Sequence, residues 1–84
     1  MHIQSLQPTL IVSTSYLNIV SATIDKLTIK VLDVQGRIAK TVTTTVEQGM
    51  QQLVLNLEDL SSGMYVLNAF TGGVFLKSIR FVKE

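Results

Sequence analysis

The sequence contains no cysteine and no tryptophan, and only one proline and one histidine. Without thiols, a disulfide framework and every thiolate metal site are excluded, while the redox compartment stays open. His2 is the only imidazole. A three-histidine metal site therefore lacks ligands, and a nucleophile–histidine–acid triad would have to be built on the second residue. Seven basic residues against six acidic ones leave a formal charge of +1. That balance predicts neither a nucleic-acid footprint nor a funnel for acidic substrates. No apolar run approaches the ~20 residues of a membrane helix, so membrane insertion is not expected. The opening "MHIQSLQP" shows neither the basic segment nor the apolar stretch of a secretory signal. A methionine directly before the strand-like "HIQSL" reads as a start residue on a piece of a longer protein, with His2 on a frayed end.

What is present favours strands. Hydrophobic residues make up 46% of 84 residues and mean hydropathy is +0.39, enough for the core of one small domain. A domain of this size buries roughly 60% of its unfolded surface. Val, Ile, Thr, Tyr and Phe are abundant, and apolar residues alternate at period two with no sustained helical stripe. "TLIVS" (9–13) and "YLNIVSA" (16–22) are short apolar runs. "KLTIKVLD" (26–33) sets Leu27, Ile29 and Val31 against Thr28 and Lys30. Ile38, Val42 and Val46 share a parity in 37–47, as do Leu53, Leu55 and Leu57 in 50–57. Tyr65, Leu67 and Ala69 follow in 64–70. In 74–83, Phe75, Ile79 and Phe81 oppose Leu76, Arg80 and Val82. "DVQGR", "EQG" and "TGG" supply turns between runs. Seven or so short strands with turns every 8–12 residues predict an all-β, immunoglobulin-like antiparallel β-sandwich, one domain over 1–84.

"LEDLSSGMYVLNAF" (57–70) is a polar corner followed at once by an apolar strand. In immunoglobulin-like sandwiches a tyrosine after such a corner can hydrogen-bond upstream backbone. Tyr65 is placed for that role, with Leu60 plugging the core and Gly63 turning the backbone without a Cβ. The plainer reading makes Tyr65 an ordinary core aromatic. Both readings are structural.

Chemistry-bearing groups are few. Asp25, Asp33, Glu47, Glu58 and Asp59 fall at predicted strand ends or turns, where turn and edge-solvation roles explain them. A calcium site on Glu58 and Asp59 would need further oxygen ligands. Gly72-Gly73 lacks the lysine and helix of a phosphate loop. No enzyme activity, metal or cofactor is expected. The last run carries Lys77, Arg80 and Lys83, either as charges that discourage edge-to-edge pairing or as a surface read by a partner.

Two stretches, "LTIKVLDVQGRIAKT" (27–41) and "LVLNLEDLSSGMYVLNAFTGGVFLKSIRFVKE" (53–84), resemble a known family. It is the type IX secretion (Por secretion) C-terminal sorting domain, type A, of Bacteroidetes. The family's pattern is Asp-x-x-Gly-Arg, then Leu-x-x-Gly-x-Tyr, then a closing strand with basic residues. Here these are Asp33, Gly36 and Arg37; Leu60, Gly63 and Tyr65; and Lys77, Arg80 and Lys83. Pro8 stands where the family opens on Pro-Asn-Pro, without the second proline.

The resemblance implies an address on a larger secreted protein. Its passenger, an enzyme or adhesin, reaches the periplasm by a separate signal. The outer-membrane type IX machinery then recognises the folded domain and delivers the passenger to the medium or cell surface, in many systems with attachment to an anionic lipopolysaccharide. Lys77, Arg80 and Lys83 would be read at an exposed basic end, while Asp33, Gly36, Arg37, Leu60, Gly63 and Tyr65 hold the scaffold. The alternative is an immunoglobulin- or fibronectin-like spacer, or a carbohydrate-binding module of a secreted enzyme. The last needs an aromatic platform from Tyr16, Tyr65, Phe70, Phe75 and Phe81.

Overall fold

A computed structural model describes residues 1–84, which form strands and no helix. The strands are β1 (His2–Gln7), β2 (Leu10–Ile11), β3 (Thr14–Ser21), β4 (Asp25–Leu32), β5 (Ile38–Val46), β6 (Gly49–Asn56), β7 (Gly63–Thr71) and β8 (Val74–Lys83). They make two sheets, ordered β1-β3-β6 and β2-β8-β7-β4-β5. The alternation seen in the sequence decides how the sheets meet. Leu27, Ile29 and Val31 of β4 are buried while their neighbours are not, and Leu67 and Ala69 of β7 extend the same layer. Leu17 and Ile19 of β3 and Leu55 of β6 complete one core from the opposite sheet. Full burial of each Leu or Ile contributes about 1.5–3 kcal/mol, so two half-polar sheets form a sandwich.

The structure departs from the sequence reading at three places, each with an identifiable cause. First, residues 2–7 are a strand rather than a frayed end, and Ile3 and Leu6 are 1% and 4% exposed. The register jumps between Ile3 and Ser5, leaving Gln4 as the extra residue of a bulge. Two apolar residues three apart thereby point the same way, which simple alternation does not anticipate. Second, the chain changes sheets after β1, across a cis Gln7–Pro8 peptide, and β2 pairs parallel with β8. The sandwich is therefore antiparallel except at this pair. Buried Ser15 donates its hydroxyl to the Pro8 carbonyl at 2.6 Å and anchors the crossing.

Third, bulges reverse two side-chain parities. β5 skips Ala39 between its pairings with Val31 and Leu32, so Val42 and Val46 face the core while Ile38 is exposed. β8 skips Leu76 between its pairings with Ala69 and Phe70, so Leu76 and Ile79 pack on the core and Phe75 lies outside it.

Candidate functional site

The turn from β4 to β5 is organised by one carboxylate. Asp33 Oδ1 accepts the backbone N–H groups of Gln35 and Arg37 at 2.9 and 3.0 Å, and Oδ2 accepts the Arg37 guanidinium at 3.1 Å. Gly36 donates its N–H to the Asp33 carbonyl at 3.0 Å from a φ of 80°. A short acidic side chain is needed to reach two amides of its own turn, and a residue without Cβ to enter the left-handed region. The Asp33 carboxyl is held below its ordinary range, first by the Arg37 amide, with the Gln35 amide and the guanidinium adding to it.

The corner between β6 and β7 is fastened from the other side. Leu60 is buried, and its N–H donates to the Leu57 carbonyl at 3.1 Å. Gly63 opens β7 at a φ of 157°. The Tyr65 hydroxyl donates to the Ser61 carbonyl at 2.7 Å, while the ring stacks on Phe81 with centroids 5.5 Å apart.

These two segments meet on the outer side of the five-stranded sheet. Asp33, Val34, Met64, Tyr65, Val66 and Arg80 line an open groove of about 220 Å³. The register explains the meeting: Arg80 lies opposite Val66, and Val66 opposite Leu32, just before the turn. Val34 and Met64 are exposed, and Leu10 and Val82 extend the apolar border. The groove thus offers apolar side chains beside one guanidinium that has no ion-pair partner. A larger hollow of about 340 Å³ near Glu58 is lined entirely by polar residues. There the Lys40 ammonium holds both Asp59 oxygens, at 3.1 and 2.9 Å. It takes the place next to the carboxylate that a calcium ion would need.

The three basic residues of the last strand do not share a surface. Arg80 is exposed on the outer face. Lys77 is half-buried and directs its ammonium to the Gln4 carbonyl, 3.4 Å away on the edge of the other sheet. Lys83 is only 7% exposed, reaching the Glu84 carbonyl at 3.2 Å, and its charge helps to lower the Asp59 pKa after that of Lys40. The expected exposed basic end is therefore reduced to Arg80 and, at its rim, Lys77. Lys83 shares the parity of Ile79 and Phe81 and so points inward.

Over residues 13–83 the chain matches the family model described as a secretion system C-terminal sorting domain. The chain belongs to this family of type IX sorting domains. No curated protein and no solved structure matches it. In this sorting domain the matched region contains the Asp33 turn, the Tyr65 corner and Arg80, whereas Pro8 and β1 precede it. Sorting domains of this family are non-catalytic. Val34, Met64 and Val66 of the groove were not singled out from the sequence. A valine inside a polar turn and a methionine on the outward parity of a strand were the available signals.

Proposed function

We propose that this sorting domain is the C-terminal address of a longer secreted protein and performs no reaction of its own. The outer-membrane type IX machinery reads the folded domain in the periplasm and carries the upstream passenger, an enzyme or adhesin, to the medium or the cell surface. The observation that supports this reading is the convergence of both family motifs and an unpaired Arg80 on one apolar groove. A groove of this kind suits recognition by a protein surface, with the apolar floor giving affinity and the guanidinium giving orientation. A carbohydrate platform finds less support. Exposed Tyr16 lies on the three-stranded sheet and exposed Phe75 on the other, and Phe75 meets Phe70 edge-on at 68°.

The test is an export assay. The 84-residue chain is fused behind a fluorescent passenger that carries an inner-membrane export signal, in a type IX-competent host. Fluorescence outside the cell is expected, and loss of it in a translocon-deficient host and with Arg80→Glu. Fluorescence held in the periplasm in every strain, with the domain folded, overturns the reading. Removing residues 74–84 is unsuitable as a control, because β8 pairs with both β2 and β7 and its loss destroys the sheet.

A further inference from the structure

β8 has a strand neighbour on both sides only at its end. On one side β7 pairs with it from Val74 to Lys83, whereas β2 covers just Val82 and Lys83. The Val82 N–H donates to the Thr9 carbonyl and the Glu84 N–H to the Ile11 carbonyl, both at 2.8 Å. Even-numbered residues at this end of β8 therefore aim their backbone groups away from β7. Ser78 and Arg80 lie in the same register, opposite Asn68 and Val66, and no backbone bond outside the strand ladders reaches either residue. No strand pairs with β8 along this lane, because the chain before Leu10 has crossed into the other sheet as β1. Lys77 borders the lane on its inner lip and Arg80 on its outer lip, and neither has a carboxylate partner.

We propose that this lane is filled by an extended acidic segment of the type IX machinery, which adds as a strand along Lys77–Arg80 in line with β2. The inference rests on the sorting reading above. Open backbone donors and acceptors supply affinity, as in strand addition generally, and the two cations select carboxylates on the incoming strand. A second copy of this chain is the poorer occupant, since its own Lys77 and Arg80 would meet like charges across the pairing.

Ser78→Pro removes one of the open N–H groups and fills the lane with a ring, yet costs no bond to β7. Thr43→Pro is the matched change on another open edge. The Lys26 carbonyl points toward β7, where it accepts from the Thr71 side-chain hydroxyl, so even-numbered β4 residues face β7, and Thr43, opposite Thr28, faces outward. Both variants are fused to the passenger and checked for folding by thermal melting. Failure of the unaltered domain to export defeats the sorting reading itself. Where it exports, Ser78→Pro is expected to lower export at least about tenfold and Thr43→Pro to stay within about twofold. Export of Ser78→Pro at the unaltered level, or equal loss in both variants, overturns the proposal. Should Ser78→Pro not fold, the double change Lys77→Glu, Ser78→Glu must give the same loss, and unchanged export overturns it. A dimer seen by sedimentation in the unaltered chain and abolished by Ser78→Pro assigns the lane to a second copy, which also overturns the acidic occupant.

Discussion

The Tyr65 hydroxyl donates to the Ser61 carbonyl, four residues upstream, at 2.7 Å. The bond closes the corner on itself, and the ring beneath it packs on Phe81 near the C-terminal end of β8. A polar corner is thereby tied to the strand that carries Arg80. Tyr65→Phe keeps the ring and loses only the bond, so it should lower stability by about 1 kcal/mol. Tyr65→Ala also removes the buried ring and should cost about 3–5 kcal/mol. Urea denaturation of the two variants separates the contributions.

Gly63 and Gly36 are constrained by backbone rather than by space. A Cβ on Gly63 would meet Tyr65 at an ordinary 3.9 Å, and one on Gly36 would meet nothing, but their φ values are 157° and 80°. Alanine at either position should destabilise by about 1–2 kcal/mol. The same unfolding experiment checks this, with Gly36→Asn expected to recover part of the loss because Asn tolerates the left-handed region.

Acid should loosen the two turns before it affects the core. Asp33, held mainly by the Arg37 amide, and Asp59, held mainly by the Lys40 ammonium, both have pKa values below the ordinary aspartate value of 3.8. A carboxyl that binds its proton more weakly when folded stabilises the fold above its unfolded pKa. That contribution is lost as pH falls through the lower folded value. The melting temperature should therefore hold from neutral pH to about pH 5 and fall below about pH 4. Asp33→Asn and Asp59→Asn should each flatten that acid limb in a pH series of melts.

The N-terminal strand is part of the core and should not be dispensable. Leu6→Ala leaves a cavity beneath β1 and should cost about 2–5 kcal/mol. Removal of residues 1–7 exposes Leu17 and Ile19, to which β1 is paired, and should leave a chain that melts without cooperativity. Calorimetry distinguishes this from a sharp transition at a lower temperature, which would mark β1 as an optional addition.

The groove should matter for export and little for folding. Val34 is 78% exposed, and Val34→Ser should leave stability within about 0.5 kcal/mol. Under the proposed recognition it should reduce export of a fused passenger, measured beside Arg80→Glu. Export unchanged in both variants would remove the groove from the recognition surface.

Sequence alone determined the all-β class, the inward rows of β4 and β7, and the residues of the two turns. Period-two burial and the amide-capping reach of Asp33 are local properties, written within a few residues of chain. Tertiary structure decided what depends on partners distant in sequence. The bulges at Gln4, Ala39 and Leu76 turn Ile3 and Leu6 inward and Ile38 and Phe75 outward. They exist to reconcile strand lengths across a pairing, and one extra residue reverses every later side chain. Period two already sets Arg80 and Lys83 on opposite sides of the sheet, whereas the reach of Lys77 to the Gln4 carbonyl depends on the packing of β1 beside β8 and is written in no single run. The groove joins Asp33 to Arg80 only through the pairing of β4, β7 and β8, a lateral order that no run of residues encodes by itself.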